Sequence, residues 1–173
     1  MPKPISYLTL LLVIILSSCS SRPQSTELNI AGIQFLKIPA GSFTMGATKG
    51  SADEQPARSI TLSHDFWLAK FELTQAQWKQ FMGQTIHQQR DKANKEWSLR
   101  GIGPQHPIYY VSWDECQELI NKLNKKYSNL VPKGYVLALP TEAQWEYSCR
   151  ANGPSRPTGE LADLAWFDGN SDE

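Results

Sequence analysis

Three times in this chain a hydroxyl residue stands three positions before Glu or Gln at the edge of an aromatic-rich stretch: Thr74 with Gln77, Ser112 with Glu115, and Thr141 with Gln144. In such a box the hydroxyl accepts the third helical N–H and the longer side chain returns to the N-cap N–H, so two otherwise unpaired donors are satisfied. Each box therefore predicts a helix start. After Thr74, Trp78, Phe81 and Met82 share one face, and Gly83 supplies a left-handed stop. After Ser112, Cys116, Leu119, Ile120 and Leu123 form an unbroken helical stripe, with Lys122, Lys125 and Lys126 turned to water. After Thr141, Trp145, Ser148 and Cys149 line one face; Pro140 closes the segment before, and the helix should end near Gly153.

Around these helices lie short runs rich in β-branched and aromatic residues, at 33–38, 41–46, 59–63, 65–73 and 135–139, which read as strands. Residues 84–107 are polar without clean periodicity and read as a long surface excursion, with at most a turn of helix at 92–97. Short helices scattered among short strands predict an α+β domain with much irregular chain.

Lys and Arg number 17 against 17 Asp and Glu, so no basic field exists to hold nucleic acid, and that class of partner is excluded. A hydrophobic content of 40% in 173 residues is enough for one buried core. The N-terminus has a different purpose. Lys3 precedes an apolar run over residues 7–16, the length of a signal-peptide core and too short to span a bilayer. The run closes in Leu16-Ser17-Ser18-Cys19, which resembles the bacterial lipobox, and this implies cleavage before Cys19 and a lipid on its thiol. The expected organisation is a signal peptide over 1–18, a lipidated cysteine and flexible tether over 19–32, and a domain over 33–173. Membrane attachment through the lipid and a place in the cell envelope follow. Ser20, rather than Asp, after the cysteine points to the outer membrane, facing the periplasm, by resemblance to Gram-negative sorting.

Five segments in order carry a further likeness: Phe43-Thr44-Met45-Gly46, Asp53-Glu54-Gln55-Pro56, Phe71-Glu72-Leu73-Thr74 continuing to Trp78, Val111-Ser112-Trp113-Asp114-Glu115, and Leu139-Pro140-Thr141-Glu142-Ala143-Gln144-Trp145-Glu146-Tyr147-Ser148-Cys149-Arg150. Together they resemble the N-terminal portion of the formylglycine-generating enzyme, or sulfatase-modifying factor, family. That resemblance implies a variant of the C-type-lectin-like fold, incomplete at the C-terminus. It also implies that the catalytic cysteines of such an enzyme, which hold copper, belong to a second half not present before Glu173. Ala138 stands where many members have Arg.

Within the signature, Gly46, Glu72, Trp113, Pro140, Thr141, Glu142, Trp145, Glu146 and Arg150 are expected to be structural rather than catalytic. Glu142 lies in a helix first turn, where a carboxylate suits the dipole, and Glu146 stands at i+4 from Arg150, the spacing of a helix-surface ion pair. Trp113 and Trp145 are expected in the core, and so are the thiols of Cys116 and Cys149. His64, His87 and His106 have no metal spacing, so no metal or other cofactor is expected in this part of the family domain. Calcium, bound by some members after the third helix, would draw on Asp163, Asp168, Asn170 and Asp172, which lack the EF-hand spacing. Two functions remain: an envelope protein that uses the fold for assembly or ligand binding, with envelope proteins as partners, and a copper oxidase converting a cysteine of a partner sulfatase to formylglycine. The lipid anchor favours the first.

The lipobox generates a prediction of its own. Mass spectrometry of the protein extracted from envelopes should find Cys19 N-terminal and diacylated, and Cys19→Ala should leave the precursor uncleaved; normal processing of that variant into a released form would show that another peptidase reads the signal.

Overall fold

In the computed structural model, which describes residues 26–49, 51–150 and 160, the first strand precedes the expected domain boundary at Ile33. β1 (Glu27–Ile30) pairs antiparallel with β2 (Ile33–Ile38), and Ile30 opposes Ile33, so Ala31 and Gly32 alone make the turn. Both have positive φ, 54° and 88°, as a two-residue hairpin that follows the strand twist requires. The Asn29 carboxamide oxygen accepts the Gly32 N–H at 2.9 Å and fixes the turn. Ile30 is buried. Residues 27–32, expected in the tether, therefore belong to the domain.

β2 also pairs with β5 (Phe66–Ala69), giving a three-stranded antiparallel sheet in the order β1-β2-β5. A separate hairpin joins β3 (Gly41–Met45) to β4 (Arg58–Leu62), with Phe43 opposite Ile60. Lys37 on β2 reaches Asp65 at 2.8 Å, and the Asp65 carboxylate also accepts the Ala40 N–H at 2.9 Å. The hydrogen bond from Lys37, then that from Ala40, holds the Asp65 carboxyl below its ordinary range.

All three expected boxes are formed. Thr74 caps α1 (Gln75–Met82), Ser112 caps α3 (Trp113–Tyr127) and Thr141 caps α4 (Glu142–Cys149), each with both reciprocal hydrogen bonds in place. Gly83 stops α1 at φ 76°, its N–H on the Lys79 carbonyl. α4 ends with Arg150 as its cap, short of Gly153. A fourth box, Thr85 with Gln88, opens α2 (Ile86–Asn94) inside the stretch expected to be a surface excursion.

Residues 135–139, expected as a strand, join no sheet of the described residues. Their backbone pairs with a side chain instead: Asn124 of α3 donates to the Leu137 carbonyl at 2.8 Å and accepts the Leu137 N–H at 3.0 Å. One carboxamide thus supplies both hydrogen bonds that a neighbouring strand would have made, which is why a strand-like pattern yields no strand.

Trp78 of α1 and Leu119 and Leu123 of α3 form the buried centre, with Leu73, Phe81, Met82, Ile108, Val111 and Leu137 packed around them. Trp78 is 1% exposed. Trp78→Ala should lower the unfolding free energy by about 3–5 kcal/mol, whereas Lys125→Ala on the solvent face should stay within roughly 0.5 kcal/mol. Urea titration followed by circular dichroism would show both.

Candidate functional site

The backbone of one residue, Gly46, ties the two ends of the signature together. Glu146 on α4 accepts the Gly46 N–H at 3.0 Å, and Arg150, one turn later, donates to the Gly46 carbonyl at 3.1 Å. Glu146 and Arg150 also form an ion pair with each other. The pair occupies the expected i,i+4 spacing but is not on the surface, because the side chains are only 22% and 12% exposed. Gly46 fits this clamp for two reasons. Its φ is +81°, and a Cβ there would lie 2.5 Å from the Glu54 carbonyl oxygen. Beneath the clamp Tyr147 is fully buried and meets the Phe43 ring edge-on, with 5.4 Å between centroids. α4 is therefore fastened to the end of β3.

The other signature residues stand apart from this clamp. Thr141 is engaged in its cap, Glu142 is exposed in the first turn of α4, and Pro140 is exposed just before it. Trp113 and Trp145, expected in the core, are 68% and 61% exposed. Each lies in the first turns of its helix with most of its surface open; the box fixes where a helix starts and not which side of its first turns is covered. Glu72 is exposed on the rim of a cleft of about 570 Å³ that includes Lys70, Phe71, Gln77 and Gln105. Lys70 lies over the Phe71 ring, 5.4 Å from its centroid.

Gln75 is the positioning residue that the sequence did not single out. It is buried, and its side chain donates to the Gly101 and Pro107 carbonyls at 2.8 and 3.1 Å and accepts the Gly103 N–H at 3.2 Å. The irregular stretch after α2 is thereby pinned to the start of α1, and the Ile108 N–H reaches the Leu73 carbonyl at 2.9 Å. The available signal was a polar residue directly after the Thr74 cap, a position that looks like ordinary helix surface.

Residues 21–170 match the model of the sulfatase-modifying factor enzyme 1-like domain. The chain belongs to this family. It is 25% identical to the mouse formylglycine-generating enzyme over 81% of the chain and 48% of that protein, and 24% identical to the bovine one over the same shares. The chain thus spans about half the length of these relatives. It is also similar to the chaperone protein LppX of Paenibacillus barcinonensis, at 26% identity over the whole chain and 65% of that protein. Among solved structures it resembles PvdO from Pseudomonas aeruginosa, with a TM-score of 0.52 and 22% identity over 69% of this chain and 48% of that one. That likeness concerns the fold, which here is the mixed helix-and-sheet arrangement expected from the sequence.

The family's catalytic members imply copper held by thiolates, and the described residues do not fit that group. Cys116 and Cys149 are free thiols on separate helices, α3 and α4. Burial pushes the Cys116 thiol up and disfavours the thiolate that a soft metal needs. Among the described residues no three His, Cys, Asp or Glu side chains gather as a metal site. Cys19 and the oxygen donors Asp163, Asp168, Asn170 and Asp172 lie outside the described residues.

Cys149, expected in the core, is instead exposed, since α4 is covered on its Tyr147 side and not along the Trp145 and Cys149 side. The family domain should therefore show two rates with a neutral alkylating reagent: Cys149 fast, and Cys116 slower by at least about tenfold, because it is half-buried and its thiol is raised. Peptide mapping after timed quenching separates them. In the clamp, Gly46→Ala forces a Cβ onto the Glu54 carbonyl at positive φ and should cost about 1–3 kcal/mol. A thermal melt unchanged from the parent would show that the hairpin end yields.

Proposed function

We propose that this sulfatase-modifying factor domain belongs to a lipid-anchored envelope protein and serves binding or assembly rather than formylglycine generation. The observation that carries the reading is the clamp: Glu146 and Arg150, the charged residues of the most specific signature segment, bind each other and the Gly46 peptide, so they hold the scaffold. The thiol chemistry agrees, because Cys116 and Cys149 sit on separate helices and differ in exposure. Large apolar side chains meanwhile stand open, with Trp113, Trp145 and Val136 each more than half exposed. Such aromatic side chains anchor partners in protein interfaces. A relative carrying the name of a chaperone supports a role in assembly, the apolar run ending at Cys19 supports the anchor, and Ser20 after the cysteine supports an outer-membrane position facing the periplasm.

The oxidase reading rests on the likeness to the mouse enzyme. To separate the two, the full chain would be incubated with Cu(I) and a Cys-x-Pro-x-Arg peptide, and aldehyde trapped with a hydrazide and weighed by mass spectrometry. The expected result is aldehyde no higher than with copper alone. Copper-dependent aldehyde above that background, lost on unfolding the protein, would overturn the proposal.

A further inference from the structure

Thr26 is the first described residue, and its backbone fixes where an anchor at Cys19 would join the domain. The Thr26 carbonyl accepts the Lys37 N–H at 3.0 Å, so it lies at the end of the three-stranded sheet that holds Ile38 and Phe66, opposite the Ala31–Gly32 turn. At roughly 3.3–3.6 Å per residue, the chain from Cys19 to Thr26 covers at most about 25 Å. This end of the sheet is therefore held close to any bilayer that takes up the lipid.

The same end of the sheet has an apolar turn beside it. The Lys37 ammonium, paired with Asp65 at 2.8 Å, is also within electrostatic reach of the Tyr135 phenol. The Tyr135 N–H donates to the Pro132 carbonyl at 3.0 Å, and Asn124 holds both backbone groups of Leu137, so the side chains of this turn are presented by fixed backbone. Leu130, Tyr135 and Val136 are exposed, Val136 by 72%. Lys133 stands exposed between them, and Lys126 on the last turn of α3 lies over the Tyr127 ring.

We propose that the turn over residues 130–136 rests on the bilayer that holds the chain, with Leu130 and Val136 at the acyl boundary and Tyr135 and Lys133 among the headgroups. This inference rests on the anchor proposed at Cys19 and adds a contact of the folded domain itself with lipid. Apolar side chains gain from leaving water, a phenol suits a boundary where its ring is dry and its hydroxyl wet, and a lysine stem lies on apolar surface while its ammonium reaches phosphate. Such shallow contact is weak alone. On a short tether it becomes an intramolecular event, whose high effective concentration turns a weak contact into a preferred orientation. Phe71 supplies the internal comparison: it is exposed and apolar too, but it follows Ala69 at the other end of the sheet, where the Lys70 N–H meets the Gln34 carbonyl. The orientation turns the cleft at Gly32, Lys70 and Phe71 away from the lipid, toward soluble partners.

The test uses the full chain as extracted from envelopes, in liposomes of phosphatidylethanolamine and phosphatidylglycerol doped with a diazirine phospholipid. After irradiation, peptide mapping should find lipid adducts on residues 130–136 at least about fivefold above those on the peptide with Phe71. Val136→Glu should cut these adducts at least about threefold while a circular dichroism melt matches the parent, since a change at so exposed a position leaves stability nearly unaltered. If Val136→Glu unfolds, the map of the parent and the next variant decide. Val136→p-benzoylphenylalanine, irradiated in intact envelopes, should gain the mass of a phospholipid. The intact mass of the same samples reports on Cys19, and without acyl groups there the anchor has failed and this inference with it. With Cys19 acylated, adducts no greater at 130–136 than at Phe71, or a protein-sized gain in mass at position 136, would overturn the inference alone.

Discussion

The Gly46 backbone is the joint on which the arrangement depends. Its N–H goes to Glu146 and its carbonyl to Arg150, while those two side chains neutralise each other in a half-buried place. A charged pair taken partly out of water is costly unless its remaining hydrogen-bonding capacity is used, and here a backbone unit with no side chain uses it. Neither partner could be altered alone without leaving a charge half-buried. The glycine is as much a requirement as the charges, because any Cβ would strike the Glu54 carbonyl.

The same economy of regular structure runs through the rest of the chain. Asn124 substitutes for a neighbouring strand at Leu137, and Gln75 substitutes for one at residues 101–107. A carboxamide offers a donor and an acceptor side by side, the same pair that an edge of sheet offers, so it can satisfy irregular backbone in a buried place. This explains how the described residues, with a three-stranded sheet and a two-stranded one, hold long irregular stretches against the core.

Legibility in the sequence followed the range of the interaction. Helix starts depend on contacts three residues apart, and Thr74, Ser112 and Thr141 were readable for that reason. Thr85 obeyed the same rule, yet its helix lacks an apolar stripe, with Ile86 and Gln89 buried and Ala93 the one apolar residue of the remainder, so periodicity hid it. β1 escaped because its turn uses Ala31 at positive φ, where Asn or Asp would have announced a hairpin. At the site, the pairing of Glu146 with Arg150 could be read from spacing, but their common partner 100 and 104 residues away could not. Nor could the exposure of Trp113, Trp145 and Cys149, since apolar side chains on a helix face do not say whether anything covers that face. Trp97, which meets Tyr110 and through it Tyr109, lay within the polar stretch 84–107, while Tyr109 and Tyr110 followed it outside any expected element, so nothing in the sequence brought these three rings together.

The separation of Gly46 from Glu146 and Arg150 also sets a schedule. Contacts so distant along the chain carry a loop-closure cost before they return any stabilisation, and folding slows as such contacts dominate. The β3–β4 hairpin leaves the ribosome well before α4 exists, with Phe43 lacking the ring of Tyr147 that covers it in the finished domain. Until α4 arrives, the nascent chain has these strands but not their fastening, so closure of the Gly46 clamp waits on synthesis of Glu146 and Arg150 rather than on the first elements made.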